Sequence, residues 1–256
     1  MNVYKITFSP TGGTSRVADI LVNEFCTSDI PVKTVDLVKA DFDFSSVKIQ
    51  PDDICVIAVP VYGGRVAALA TEHLSRLSGN GAKAVLVAVY GNREFEDALV
   101  ELQDVSSAAG FLPVAGISAI AEHSVLRQFG AGRPDQKDTA ELKSFAKQIR
   151  NHLVHDIFSE LVLPGNRPYK DYVILNTKPI AGELCEKCGH CANVCPTHAI
   201  PKEHPDQTIN DLCISCMRCT TFCPKKARYI RPNIAVMLNE KLSKVASQRK
   251  PNKLYM

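Results

Sequence analysis

Eight of the ten cysteines in this 256-residue chain stand between Cys185 and Cys223, in two copies of one spacing. The first copy reads Cys185-x2-Cys188-x2-Cys191-x3-Cys195-Pro196 and the second Cys213-x2-Cys216-x2-Cys219-x3-Cys223-Pro224. Three thiolates at successive three-residue steps can wrap three corners of a cubane while the chain makes a tight turn, the spacing that holds [4Fe–4S] clusters. In paired motifs of this kind the fourth cysteine ligates the other cluster. The expected ligand sets are therefore Cys185, Cys188, Cys191 and Cys223 for one cluster, and Cys213, Cys216, Cys219 and Cys195 for the second. Zinc also accepts four thiolates, but usually from two pairs separated by a longer loop. A disulfide framework is a weaker alternative, because nothing marks the chain as secreted. Cys26 and Cys55 lie in apolar runs without a spaced partner and read as structural thiols.

A second chemistry lies near the N-terminus. Val3 to Phe8 reads as a strand, Ser9-Pro10-Thr11-Gly12-Gly13-Thr14 as a turn, and Val17, Ala18, Leu21 and Phe25 as the apolar face of a helix. A strand, a Gly/Thr turn and a helix N-terminus make an anion site: glycines let the backbone approach, amides and helix dipole attract negative charge, and hydroxyls donate. The turn has no lysine and does not fit the nucleotide-hydrolysing P-loop or the dinucleotide G-x-G-x-x-G pattern. A monophosphate ester suits it better, although a helix N-cap at Thr14 would account for part of the pattern.

The elements needed to position these groups follow from periodicity. Val32–Leu37, Asp53–Pro60, Ala84–Tyr90 and Phe111–Ala121 read as four further strands. The nearly continuous apolar runs among them are the mark of strands buried on both faces of a parallel sheet. Helical patterns separate them at Ala67–Leu77 and Phe95–Ala108, and a long one follows through Leu142, Phe145, Ala146, Ile149, Leu153 and Ile157. Five strands alternating with helices predict an α/β, doubly wound, five-stranded parallel sheet, with its ligand beyond the carboxyl ends of the strands. The loops there are Ser9–Thr14, Pro60-Val61-Tyr62-Gly63-Gly64-Arg65 and Tyr90-Gly91-Asn92-Arg93. Tyrosines on neighbouring loops could sandwich a planar ring while the glycines expose backbone to its edge; alternatively, Tyr62 and Tyr90 simply cap the sheet. His123, in Glu122-His123-Ser124, either donates a hydrogen bond to such a ligand or caps a turn. Arg65 and Arg93 either stabilise an anionic ring or form surface ion pairs.

The stretch Phe8-Ser9-Pro10-Thr11-Gly12-Gly13-Thr14 with Ala18 resembles the flavodoxin signature for the phosphate of FMN; Thr7 departs from it where flavodoxins usually carry an aromatic residue. The cysteine array is the bacterial ferredoxin run. Together with Pro60–Arg65, Tyr90–Arg93, Glu122–Ser124 and Arg133-Pro134-Asp135, these stretches make nearly the whole chain resemble the flavodoxin–ferredoxin fusion proteins of anaerobic microbes. That resemblance implies FMN, two [4Fe–4S] clusters and a role in electron transfer. Residues 1–163 are then the flavodoxin-like FMN-binding domain, 164–180 a linker broken by Pro164, Gly165 and Pro168, and 181–256 a small α+β two-cluster ferredoxin-like domain. The expected FMN residues are Ser9, Thr11, Gly12, Gly13, Thr14, Pro60, Val61, Tyr62, Gly63, Gly64, Tyr90, Gly91, Asn92 and Arg93.

Composition bounds the partners. Residues 1–180 carry a net −3 and residues 181–256 a net +6, but two oxidised clusters with their thiolates bring about −2 each, leaving about +2. The residual charge suits cluster compensation or an acidic docking partner better than nucleic acid, for which no motif is present. No apolar run spans a bilayer and no leader is evident, so a cytoplasmic protein is expected. Asn233–Ala246 reads as a helix closing onto the first domain, ahead of a basic, frayed end. Lacking a nucleophile or an acid–base pair, the chain reads first as an electron carrier serving a redox partner protein, a ferredoxin or an oxidoreductase. The alternative is an FMN-dependent oxidoreductase reducing a small acceptor such as a quinone, nitro compound or disulfide. A redox sensor is a third reading, without a dedicated output domain to support it.

Overall fold

The computed structural model describes residues 1–26, 30–155, 161–172 and 177–256. The chain opens with β1 (Val3–Thr7), α1 (Gly13–Phe25), β2 (Val32–Asp36) and β3 (Ile54–Tyr62). Then come β4 (Arg65–Val66), α2 (Ala68–Leu74), β5 (Lys83–Tyr90), α3 (Ala98–Ala108), β6 (Leu112–Ile120) and α4 (Gln136–Val154). The C-terminal part contributes β7 (Ile180–Ala181), α5 (His190–Asn193), α6 (Arg218–Thr221), β8 (Arg228–Tyr229), α7 (Pro232–Ser243) and β9 (Lys253–Tyr255).

The five expected strands form the parallel body of the main sheet in the order β2-β1-β3-β5-β6. This is the flavodoxin-like strand order, with the switch in direction between β1 and β3. Alternation along β3 explains its apolar run: Cys55, Ile57 and Val59 enter the core beneath α2 and α3, whereas Val56 and Ala58 enter the core beneath α1 and α4. Side chains such as Leu21, Ile57, Leu86 and Leu99 are fully buried, each contributing about 1.5–3 kcal/mol.

The sheet has seven strands rather than five. β3 runs two residues past Pro60, turns at Gly63 and Gly64 (φ 62° and 90°), and pairs back with β4. Two consecutive positive-φ residues are what a tight two-residue hairpin demands. The second addition is β9, which lies antiparallel on β6 with Ile117 opposite Leu254. The C-terminal end is therefore an ordered edge strand, not a frayed tail. An antiparallel edge closes the hydrogen-bonding row that β6 would otherwise expose.

Residues 161–172, expected to hold the break between domains, are stitched to α3 and the turn before it. Leu163 is buried in the main core, Asp97 accepts from the amides of Asn166 and Lys170 (both 2.8 Å), and Arg167 pairs with Asp104 at 2.6 Å. Ile157 lies outside the described residues, and α4 begins at Gln136, earlier than the apolar pattern indicates, because Asp135 and Asp138 form a capping box. The expected closing helix is α7, whose Leu238 and Leu242 pack with Ala246 on Leu126 and Phe129 from the loop after β6.

The segment leading to β9 is fastened by a buried knot. Arg133 and Asp138 pair at 2.5 Å with side chains 4% and 0% exposed. Asn252 Nδ2 donates to Asp138 (2.9 Å), Arg249 Nη2 donates to the same carboxylate (3.0 Å), and Arg133 Nη1 donates to Lys250 O (2.9 Å). Burial opposes ionisation of Asp138, but the hydrogen bonds from Arg133, the Asp135 amide and Asn252 outweigh it and hold the carboxyl below its ordinary value. A carboxylate depressed in the folded state stabilises fully above its unfolded value of about 3.9 and loses that contribution as pH falls through the folded value. Replacing Asp138 with alanine leaves a buried, unpaired guanidinium, so Asp138→Ala should cost about 3–5 kcal/mol in denaturant unfolding at pH 7. A loss below about 1 kcal/mol would contradict this.

Candidate functional site

The two cysteine sets enclose two separate cavities. Cys185, Cys188, Cys191 and Cys223 line the first, together with Pro205, Lys225 and Arg228. Cys195, Cys213, Cys216 and Cys219 line the second, with Pro196, Ile200, Ile214 and Met217. The fourth cysteine of each copy thus sits with the first three of the other. The crossing follows from the pairing of β7 with β8 and from the packing of α5 against α6, which carry Cys191 and Cys219. All eight thiols are free. Among the described residues, no three His, Cys, Asp or Glu side chains stand close enough to share a single metal ion. The thiols surround a space, four to each.

Burial raises these thiols: Cys216 is pushed up to about 12 and Cys219 to about 11, and Cys191 and Cys213 are raised as well. Burial thus favours the neutral form of these four, so thiolate ligation must release protons. Groups that favour the thiolate are already in place. Ala227 N donates to Cys223 Sγ at 3.2 Å, and Arg228 Nη1 lies 3.7 Å from Cys191 Sγ. Arg228 is 3% exposed. Its guanidinium is held by Pro205 O (2.7 Å), Gln207 O and Thr208 Oγ1, while its Nε has no partner among the described residues. Its charge also lowers the thiols of Cys213 and Cys219, so one buried cation acts on both cavities. The sequence reading passed over Arg228. The available signal was the internal repeat: in the register of the two Cys-Pro pairs, Ala227-Arg228 answers Ala199-Ile200, so a charge stands where the first copy has an apolar residue.

The second cavity adjoins the carboxyl edge of the sheet. Ile214 and Tyr62 both pack against the main core, and burial first, then the neighbouring Cys216, raise the Tyr62 hydroxyl well above its ordinary value. Arg218 Nη1 donates to Pro10 O at 3.1 Å, and His198 Nε2 stands 3.4 Å from Asp41. Cys188 of the first cavity is exposed, whereas Cys216 of the second is buried.

At that edge the first loop has the features of an anion cradle. Gly12, not Thr14, is the N-cap of α1, in the left-handed region (φ 91°) with open space where a Cβ would stand. Gly12 brings no capping side chain of its own, which leaves the first-turn amides other than that of Ser15 as donors for a ligand. Ser9 Oγ accepts from Ser15 N at 2.9 Å, and Thr14 is buried. The other two loops are more occupied than expected. Pro60, Val61 and Tyr62 belong to β3, and Glu96 fills the space over Gly64. Tyr90 is buried, its ring 5.6 Å from Phe95, leaving little face for a stacked ligand; Tyr62 is only half-buried. Asn92 Nδ2 donates to Ala246 O (2.6 Å) and Gln248 O (2.8 Å), committing that side chain to the C-terminal segment. Arg93 pairs with Glu96 at 2.8 Å, and Arg65 pairs at 2.8 Å with Glu101, which is buried, so that second pair is not the surface one expected.

His123 closes the crevice beside Gly91, where an added Cβ would meet its ring at 2.4 Å. Its Nδ1 accepts from Val125 N (3.2 Å) and Leu126 N (3.1 Å), so the neutral ring carries its proton on Nε2. Burial, and then the charge of Arg93, lower this histidine to about 4. A base depressed in the fold binds fewer protons than in the unfolded chain, so stability should rise with pH between about 4 and 6.5, by at most about 3 kcal/mol. An NMR titration should find His123 neutral at pH 6 with hydrogen on Nε2; a midpoint above 6 would overturn this.

Residues 184–228 match the family described as the 4Fe-4S dicluster domain. No curated protein matches the chain. Among solved structures, a Streptococcus pneumonia TIGR4 flavodoxin is similar over 58% of this chain and 98% of its own, at 21% identity and TM-score 0.41. Oxidised flavodoxin 2 from Bacillus cereus is similar over 59% and 99%, at 15% identity and TM-score 0.45. Rubredoxin oxygen:oxidoreductase from the anaerobe Desulfovibrio gigas is similar over 60% of this chain and 36% of its own, at 16% identity and TM-score 0.44. The chain thus joins a segment that matches the 4Fe-4S dicluster domain family, residues 184–228, to a sheet with the flavodoxin strand order.

Proposed function

We propose that this chain is an electron-transfer protein in which an FMN site at the sheet edge exchanges electrons with two [4Fe–4S] clusters and, through them, with a redox partner protein. The observation that carries the reading is the pair of four-thiol cavities, the second of which abuts the loops after β1 and β3. Four thiols around a space suit a multi-atom cluster better than one zinc ion, whose ligand sulfurs would sit about 3.8 Å apart in a tetrahedron. The ligand sets are Cys185, Cys188, Cys191 and Cys223, and Cys195, Cys213, Cys216 and Cys219. Bound, the clusters would pass single electrons and FMN would accept one or two. The protein's part is position and electrostatics. The Gly13 and Thr14 amides and the Ser9 and Thr14 hydroxyls would hold a phosphate, Tyr62 lies within electrostatic reach of Cys216, and exposed Cys188 would mark the end open to a partner. Residues 1–163 act as the flavin domain and 181–256 as the cluster domain, with residues 253–255 returning to complete the first domain's sheet.

Anaerobically purified protein should hold about eight irons per chain and release FMN. Stoichiometric zinc without iron, or a flavin lacking the monophosphate, would sink the reading. Reduced ferredoxin should reduce the bound flavin, while quinones, nitro compounds and disulfides turn over slowly; fast turnover of one of them would favour the oxidoreductase alternative.

Arg228 gives a separate test. A buried cation beside the cysteine sulfurs favours the more negative, reduced form of a cluster. Arg228→Gln should therefore shift at least one cluster to a more negative potential in EPR-monitored titration, with iron retained. Unchanged potentials would assign Arg228 to bracing the Pro205–Thr208 loop alone.

A further inference from the structure

The phosphate cradle has no cation of its own. Its loop carries none; Lys5, on the strand before it, pairs with Asp19 at 2.7 Å, and Arg16 on α1 donates to Arg133 O at 3.0 Å. A phosphate monoester brings a charge near −2 at pH 7, against roughly half a positive charge from a helix N-terminus. A cation from the other domain reaches the loop. Arg218 sits between Cys216 and Cys219, and its Nη1 reaches Pro10 O, inside the cradle loop, at 3.1 Å. The guanidinium is braced on the Phe222 ring (4.7 Å to the centroid), and its Nε is buried with no partner among the described residues. Carboxylates of the adjoining cleft are engaged elsewhere: Asp36 accepts from Val38 N at 3.0 Å and Asp41 faces His198 at 3.4 Å. The two cysteine copies differ at this place, with His190 between Cys188 and Cys191 where Arg218 stands between Cys216 and Cys219.

We infer that Arg218 completes the flavin-phosphate site from across the domain boundary and so makes FMN preference depend on the dicluster domain. The inference rests on the flavin reading above. One residue then serves two sites: its backbone belongs to the turn that holds Cys216 and Cys219, and its guanidinium is a permanent cation at the rim of the cradle. Arginine suits the role because its planar fork can keep the bond to Pro10 O while the free Nε–H and the remaining amino group face a phosphate oxygen.

The test compares FMN with riboflavin, which has the same ring and no phosphate, on full-length protein with its iron in place and its flavin removed by dialysis. Wild-type protein should bind FMN more tightly than riboflavin. Arg218→Gln should weaken FMN by at least about tenfold, the loss of a charge-assisted contact, and leave riboflavin within about twofold. Arg218→Lys, which keeps the charge, should recover part of the FMN preference, and the salt dependence of FMN affinity should flatten in Arg218→Gln alone. The ratio of the two affinities is the readout, so a general loosening of the domain interface, which lowers both, does not imitate the result. An Arg218→Gln protein that keeps the wild-type ratio overturns this inference and leaves the flavin reading standing. Wild-type protein that binds neither flavin sinks that reading, and this one with it.

Discussion

The arrangement of the molecule hangs on the buried pair of Arg133 and Asp138. A guanidinium and a carboxylate taken out of water cost more than their mutual attraction repays unless further hydrogen bonds satisfy them. Here those bonds come from the C-terminal segment: Asn252, Arg249 and the Lys250 carbonyl fill the remaining positions. The pair is thus complete only when the last residues of the chain have returned to the flavodoxin-like sheet. Asn92, at the end of the neighbouring strand, adds two more bonds to the same segment. An otherwise costly burial becomes a lock between the two ends of the chain, and the dicluster domain is enclosed between residues that are fixed on either side.

That enclosure explains how a module with little apolar core is held. The cluster domain buries only a handful of side chains around Cys191, Ala192 and Ile200. Such a small unit depends on its metal centres for much of its stability, and here it also leans on its neighbour through Ile214, Arg218 and the α7 contact with Leu126 and Phe129. The contacts are not evenly spread. They gather on the side of Cys195, Cys213, Cys216 and Cys219, while Cys188 of the other set stays exposed. Direction is built into the packing: one thiol set faces inward to the sheet edge and the other outward.

The sheet edge combines a pre-formed anion site with a crowded ring site. Gly12 in its left-handed conformation brings no side chain onto the first amides of α1, whereas Tyr90 has sunk beside Phe95 and Asn92 has turned to the C-terminal segment. Tyr62, left half-buried at the mouth of its hairpin, is the aromatic surface that remains there. Cys216 adds to the burial that raises its hydroxyl above the ordinary value, so the two lie within electrostatic reach. The group that would contact a flavin and the group that would contact a cluster are therefore neighbours.

Local pattern settled much of this. Thiol spacing, Gly/Thr turn chemistry and apolar runs are short-range properties, and they were enough for the eight cysteines, the cradle and the five parallel strands. What they could not reach was anything set by long-range pairing. The frayed appearance of Lys250–Met256 hid an edge strand, because β9 becomes a strand only when β6 offers it hydrogen bonds. Asn92 read as a cofactor-side residue, and Arg65 as either that or an ion-pair partner, until the fold supplied Ala246, Gln248 and Glu101 as their partners. Arg218, between two cysteines, and Arg228, beyond the last of them, carry no local mark of their place; burial gave it to Arg228, and a neighbour more than two hundred residues away to Arg218. Composition and spacing determined which groups this chain carries for electron transfer chemistry. Only the tertiary structure decided which thiol set adjoins the sheet, since that depends on how two separately coded surfaces pack, and no local signal records it.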